Sequence, residues 1–248
     1  MTFSLRGIGW EFGKAVNVPK ETRPLQRDAF LKATATIFMK NYLIVDLFIA
    51  IIQQLPGVGS TAGGSMFYTS LPSLPRYIVS TLIFFISGAA MTAGFEALYS
   101  LGTLIGVGIL GQPSTAWPPL VANPFAAESL SDFWAKRWHQ TLRRTFLVMG
   151  GIPVGYIAGR PGVVIGVFFA SGLFHEFGAY AFGRGMDHRV TLFFTLQGVL
   201  ILLESLWSGI TGRRVGGWAG RLWAYLVMIP LGQMCREFLL CFASLGMR

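Results

Sequence analysis

The sequence predicts an all-α integral membrane protein, and three observations carry that reading. Of its 248 residues 53% are hydrophobic and only 12% charged, whereas a soluble domain is charged at about a quarter of its positions. The apolar residues fall into runs long enough to cross a bilayer, which takes about 20 residues of helix. Lys and Arg sit between those runs, where membrane proteins concentrate them, so the net charge of +9 does not argue for a nucleic-acid partner.

Arg6, Lys14, Lys20, Arg23, Arg27 and Lys32 precede the first apolar run, which by the positive-inside rule places the amino end in the cytoplasm. Residues 1–14 hold neither an apolar signal core nor a cleavage pattern, so insertion is expected to rely on internal helices. Within this lead-in, Arg6-Gly7-Ile8-Gly9-Trp10 combines a cation and an indole with two glycines, as an interfacial anchor would. The first crossing is expected over residues 33–55, interrupted by Lys40 and Asp46, which have to face protein, water or each other. Residues 56–75 are rich in Gly, Ser and Pro and lack Lys and Arg, so they form a loop on the far side. Residues 77–110 are apolar around Glu96, enough for one long tilted helix or for a crossing plus a broken segment. The four-residue spacing of Gly102 and Gly106, and of Gly151, Gly155 and Gly159, predicts close helix packing.

Residues 112–131 hold Pro113, Pro118, Pro119 and Pro124 and form a loop that ends at a helix start, marked by Ser129 or Ser131 with Asp132 in the first turn. The helix that follows is expected to be amphipathic and interfacial. Leu130, Trp134, Trp138 and Leu142 make its apolar stripe, and Asp132, Lys136, His139 and Arg143 lie opposite. Lys136, Arg137, Arg143 and Arg144 are a second cytoplasmic cluster. Apolar runs near 146–158, 163–182, 190–210 and 218–243 follow; the first is short and contains Pro153, so it is tilted, re-entrant or broken. The whole reads as one membrane-embedded domain, 1–248, with about six transmembrane helices plus the interfacial helix. Cys235 and Cys241 have no metal-like spacing and are expected to be buried and reduced, and no metal site is expected.

His175 and Glu176 stand in the middle of the apolar stretch 168–180, and an ionisable group at membrane depth is a functional-site hypothesis by default. In a helix the neighbours of His175 three and four residues away are Ser171, Gly172, Gly178 and Ala179, all small, so the imidazole is expected to face a backbone-lined slot open to substrate. Glu176 points about 100° away around the helix and reads as half of a structural ion pair rather than as a second base. His139, on the tryptophan-bearing helix, is the second polar centre. Acyl transfer accounts for both. A neutral imidazole takes the proton of an alcohol as its oxygen attacks a thioester, a second group holds the thioester or donates to the developing oxyanion, and the cations from Lys136 to Arg144 meet the phosphates of coenzyme A. The competing class is a transporter-like bundle in which Asp46, Glu96, His175 and Glu176 line a polar path, but no internal repeat supports it.

Three stretches resemble, in order, the membrane-bound O-acyltransferases, and in particular their wax-synthase-like branch with its fungal terpenoid acetyltransferases. Arg6-Gly7-Ile8-Gly9-Trp10 looks like the amino-proximal motif. Asn123-Pro124-Phe125, Ser129-Leu130-Ser131-Asp132-Phe133-Trp134 and Arg137-Trp138-His139 look like the central motif, and Ser171-Gly172-Leu173-Phe174-His175-Glu176 like the intramembrane histidine motif. The similarity extends from Arg6 to about Glu237. It implies His175 as the catalytic histidine and His139 as its partner. Substrate contacts are then expected from Ser171, Gly172, Asn123, Trp134, Trp138, Lys136, Arg137 and Arg143. The resemblance further implies acetyl-CoA or another acyl-CoA as cosubstrate with no tightly bound cofactor, a lipophilic terpenoid or meroterpenoid alcohol or a long-chain alcohol as acceptor, lipid as surroundings, and an endoplasmic reticulum location. Members of the family usually carry further helices ahead of the first motif, so this chain is expected to be a shortened version of it, with an inactive lipid- or helix-binding member as the third reading.

Overall fold

A computed structural model describes residues 6–7, 11–13, 16–58, 65–181 and 185–235. Among the described residues all regular structure is helical, as the composition and periodicity predict. The chain divides into two units, one of residues 1–21, 118–177 and 187–228, the other of residues 22–117, 178–186 and 229–248.

The second of these is built on α1 (Arg27–Gln53) and α2 (Ser73–Thr103). α1 starts ahead of the expected residue 33, and Arg27 itself donates to the carbonyl of Gly108 at 2.9 Å. Lys40 and Asp46 are both exposed on it. α2 passes without a break into a wider π-helical turn, Leu104–Ile109, so the stretch expected as one helix or two is a single helix of 37 residues from Ser73 to Ile109. At 1.5 Å per residue that is about 55 Å, well beyond the roughly 30 Å of a bilayer core. The spacing of Gly102 and Gly106 serves a purpose other than the expected helix–helix approach: a Cβ on Gly106 would overlap the ring of Trp117, which lies flat over both glycines. The indole is fixed from its other edge, where Nε1–H donates to Gln112 Oε1 at 2.9 Å. The loop after α1 is anchored by Val58 and Met66, packed with Ile52 and Ile83.

The other unit contains α3 (Leu130–Asp132), extended by a π turn over Phe133–Arg137, α4 (Arg143–Phe146), extended by a π turn over Leu147–Gly151, most of α5 (Ile152–Ala181), α6 (Arg189–Thr211) and most of α7 (Gly217–Met234). The start of α3 is the expected one. Ser129 accepts from the Asp132 amide at 2.9 Å, and the Asp132 carboxylate reaches back to the Glu128 amide at 3.2 Å, a reciprocal cap of the helix start.

One expectation needs correction here. The amphipathic helix does not run on to Leu142 and Arg143: Trp138 is extended (φ −75, ψ 154), and helix resumes only at Arg143. Gln140 causes the break, because its side-chain amide donates to the carbonyls of Trp134 at 2.8 Å and Trp138 at 3.1 Å and so closes off the helix end. The stripe of Leu130, Trp134, Trp138 and Leu142 is therefore not one helix face. The runs 146–158 and 163–182 were expected to be separate, the first tilted, re-entrant or broken, and between them the chain does fold back on itself. Ala158 (φ −122, ψ 17) and Gly159 (φ 61, ψ −149) leave helical geometry, and Gly150 lies against the carbonyl of Gly166 so tightly that no Cβ fits on either. Residues 16 apart in a straight helix would be separated by about 24 Å, so the chain must reverse. Gly155 meets Val163 and Gly162 meets Val154 along the same seam, and Pro161 opens the returning arm, where its missing N–H costs nothing. The short run with Pro153 is thus one arm of a glycine-zipped hairpin.

Among the described residues four segments are long and apolar enough to cross a membrane: Arg27–Gln53, Ser73–Ile109, Arg143–Ala181 and Arg189–Thr211. The expected number was about six. The third segment contains the hairpin, and α7 is less apolar over its described length; the rest of the run expected over 218–243 lies outside the described residues, as does Cys241, while Cys235 is buried. The hairpin makes a direct prediction. Gly150→Val and Gly166→Val should each destabilise the protein by about 2–3 kcal/mol through overpacking, read as lowered melting temperatures in detergent. Gly178→Ala, with open space where the Cβ would go, should be neutral or slightly stabilising.

Candidate active site

α5 and α6 lie against each other through two glycines. A Cβ on Gly172 would come within 2.7 Å of Thr191 Cα, and one on Gly198 within 3.2 Å of Phe168; the pairing of 172 with 191 and 168 with 198 makes the helices antiparallel. Glu176 locks this contact. It is 1% exposed, and its carboxylate accepts from the amides of Asp187 (3.2 Å), His188 (3.0 Å) and Thr191 (3.1 Å) and from the Thr191 hydroxyl (3.2 Å). It therefore caps the start of α6, where the amides lack helical partners and the dipole favours an anion. The expectation of an ion pair is replaced by this cap.

His175 sits one residue before the cap. Its Nδ1 lies 2.6 Å from the carbonyl oxygen of Ser171. A carbonyl only accepts, so Nδ1 carries the proton and Nε2 is the basic nitrogen. The ring stacks on Phe194 of α6 (centroids 4.5 Å apart, 18° between planes) and meets Phe174 at 5.5 Å and Phe146 at 6.4 Å. The expected slot lined by small residues is thus an aromatic surround on this side. Gly172 lets α6 approach instead of leaving room for substrate, and Ser171 orients the imidazole.

The central motif is arranged around Trp134. Its indole N–H donates to Gln197 Oε1 at 3.1 Å, and its rings meet Phe168 at 5.6 Å, Phe194 at 5.6 Å and Trp138 at 6.4 Å. Trp138 stacks on Phe133 at 5.6 Å and touches His139 at 5.1 Å. One aromatic cluster therefore runs from His139 through Trp138, Trp134 and Phe194 to His175. His139 lies in the break after α3, not on a helix face, and its pKa is lowered from 6.5 to about 4, first by burial and then by the electrostatic influence of His175.

The cations separate into two groups. Arg137 is engaged internally: it pairs with Asp132 through Nε and donates to the carbonyls of Ala122 and Asn123 at 3.3 and 3.4 Å. Burial pulls the Asp132 carboxyl up, but the Arg137 and Glu128 hydrogen bonds and the charges of Arg137 and Lys136 outweigh it and hold it below the usual range. Lys136 stays 64% exposed, 3.8 Å from Asp132, and Arg143 and Arg144 are exposed. Asn123 is exposed and takes the left-handed conformation (φ 47) that Asn tolerates better than most residues, so it shapes the loop rather than facing the cluster. Arg6 was expected to anchor the chain at the membrane surface; it is instead 5% exposed and donates to the carbonyls of Pro119 (2.7 Å) and Pro118 (2.8 Å). Ile8, Gly9 and Trp10 lie outside the described residues.

The sequence reading missed two residues of α6. Glu204, buried, accepts from the amides of Leu130 (2.8 Å) and Ser131 (3.0 Å), the Ser131 hydroxyl (2.7 Å) and the Trp223 indole (3.0 Å), which pins the start of α3. Gln197 is 0% exposed beneath Trp134. Both stand in the apolar run 190–210, and their polar side chains in that run were the available signal.

The class this defines is an all-helical, multi-pass membrane protein with two histidines joined by one aromatic cluster. Residues 117–196 match the family described as the membrane bound O-acyl transferase family. The chain is 27% identical to the acetyltransferase aurG of Calcarisporium arbuscula over 79% of its length and 52% of that protein's. It is 26% identical to the O-Mevalon transferase yanI of Aspergillus niger over 80% of its length and 50% of that protein's. The long-chain-alcohol O-fatty-acyltransferase of Simmondsia chinensis is 29% identical over 58% of the chain and 41% of its own length. The resemblance drawn from the three motifs is borne out by these matches, and the chain spans about half the length of the curated fungal relatives it matches. No solved structure matches it.

Two predictions follow from the protonation and the cap. With a pKa near 4, His139 stays neutral from neutral pH downward until the pH nears 4. A histidine-dependent property of residue 139, followed by nitrogen chemical shift, should therefore show no step near 6.5 and should change only near 4. Because the unfolded chain takes up this proton at 6.5 and the folded one near 4, the stability this residue contributes is complete above 6.5 and declines as the pH falls toward 4. Glu176→Gln should lower the melting temperature, by about 2 kcal/mol of stability, and leave any turnover within about tenfold; a second base would lose far more.

Proposed function

We propose that the chain carries the catalytic part of a membrane O-acetyltransferase that moves an acetyl group from acetyl-CoA to the hydroxyl of a lipophilic metabolite such as a terpenoid or meroterpenoid. The observation that carries this is the tautomer of His175, with Nδ1–H held by Ser171 and Nε2 turned into base. Nε2 takes the hydroxyl proton as the oxygen attacks the thioester carbonyl. The tetrahedral intermediate then collapses with cleavage of the C–S bond, and the coenzyme A sulfur leaves with the proton from the imidazolium, giving ester and free thiol. His139, neutral and in the same aromatic cluster, donates to the carbonyl oxygen or holds the thioester as charge develops on it. Lys136 and Arg143, both exposed, meet the phosphates of the cosubstrate. Trp134 and Trp138 form an apolar wall beside the reacting groups.

Rings of Phe146, Phe174 and Phe194 around His175 and relatives named acetyltransferases support a small acyl group. A fatty acyl group and a long-chain alcohol are the second reading, supported by the Simmondsia relative. The surroundings are bilayer lipid, with the endoplasmic reticulum as location and the amino end cytoplasmic.

The test is transfer from labelled acetyl-CoA and longer acyl-CoAs to a panel of alcohols by the purified chain in detergent. Wild type should form acetyl ester, and His175→Ala should lose about 10³-fold in kcat, in the range of a general base, with insertion intact. His139→Ala should lose about 100-fold or more, as removal of a stabilising donor does. Transfer by His175→Ala at the wild-type rate would refute the mechanism, and preference for long acyl chains would favour the second reading.

A further inference from the structure

Gln197 offers a donor that the fold itself does not use. The indole N–H of Trp134 can only donate, so the amide oxygen of Gln197 has to face it, at 3.1 Å. That fixes the orientation of the amide and turns Nε2 away from Trp134. Nε2 is fully buried and has no hydrogen-bond partner among the described residues, although a buried donor left unmatched costs free energy and is rare in native proteins. An apolar side chain of the same shape would fill this position without that cost.

The position of the amide says what it would serve. Gln197 follows Phe194 by three residues, so the two share a face of α6, and Phe194 carries the stacked ring of His175. Trp134, which Gln197 holds, meets the rings of Phe168 at 5.6 Å and Phe193 at 6.5 Å, so the surroundings are apolar. In that surround Nε2 is a neutral donor on the helix face that carries the stacking partner of His175, and the helix is pinned by Glu176 at its start and through Glu204 toward its end. The residue stands just past the segment 117–196 that matches the family.

We infer that Gln197 Nε2 donates a hydrogen bond to the carbonyl oxygen of the bound acyl thioester, orienting it for attack and taking up charge as the oxyanion forms. The inference rests on the acyltransferase reading above and deepens it by assigning a substrate-contacting group. A thioester carbonyl is an acceptor with no donor of its own, which matches a site offering N–H and enclosed by rings. Trp134 is then the positioning residue, acting through the amide oxygen.

The test uses the full chain in detergent with [1-13C]acetyl-CoA and the best alcohol of the panel. Gln197→Leu removes the donor at similar volume, and Gln197→Met is the second variant should the first fail to fold, with circular dichroism and melting temperature as the check. Trp134→Phe removes the indole N–H while keeping the Gln197 amide. The expected result is a fall in kcat of about 100-fold for Gln197→Leu or Met, the scale of one lost oxyanion donor, with KM changed by less than about threefold and a larger loss than Trp134→Phe causes. In difference infrared spectra the bound 13C=O stretch should lie below its value in water-free solvent in wild type and Trp134→Phe, and rise in the Gln197 variants. An unchanged band and unchanged kcat in folded Gln197 variants would overturn the inference while leaving the acyltransferase reading in place. Equal losses in the Trp134 and Gln197 variants with no band shift would also overturn it, since that is the pattern of a purely structural pair. Absence of acetyl transfer by wild type would overturn both.

Discussion

Amide groups at the start of a helix have no partner within it, and in an apolar bundle water is not there to supply one. This chain meets that constraint with two buried carboxylates. Glu176 takes the amides that open α6, and Glu204, near the other end of α6, takes those that open α3. Leaving either set unmatched would cost about 1–3 kcal/mol per amide. The geometry of the site follows from these two fixings. With α6 held against α5 at Thr191, Phe194 lies under His175; with α3 held against α6 at Glu204, Trp134 lies over Gln197. Neither carboxylate needs to touch a substrate to decide where the imidazole stands.

The parts of this arrangement that were legible in the sequence are those written by local chemistry. Ser129 with Asp132 three residues on specifies a helix start whatever surrounds it, and the helix begins there. Runs of apolar residues specify helices, and the long one through Glu96 is a helix. What the sequence did not disclose depends on partners far along the chain. Nothing near Trp138 marks a helix end, since no Gly or Pro stands there; the end comes from Gln140 turning its amide back onto Trp134 and Trp138. Gly102 and Gly106 show the spacing of a helix-packing seam, but the object that fits into it is an indole from the following loop. Arg6 reads as a surface anchor until the carbonyls of Pro118 and Pro119 are brought to it. The neighbours of His175 were correctly listed as small, yet small residues serve equally to admit a substrate or a second helix, and at Gly172 it is the helix.

The two histidines are held by different structural means. His175 has its proton assigned by the Ser171 carbonyl one turn back, a bond that any helix offers to a side chain reaching four residues toward its start. His139 is outside regular structure, and its neutrality comes from burial beside aromatic rings and from the second imidazole.

The same economy of roles holds among the cations. A planar guanidinium with several donors suits a site where carboxylate and carbonyls converge, which is where Arg137 lies, bridging Asp132 to Ala122 and Asn123. Arg6 does the same for Pro118 and Pro119. Both therefore hold together the loop that leads into α3, so Arg6 and the central motif, distant in sequence, serve one structural device. Lys136, a flexible point charge on the next residue, is left 64% exposed. Clustered basic residues in such a sequence thus divide into those held against carbonyls of the fold and those left exposed, and the division is set by which carbonyls the fold leaves needing a donor.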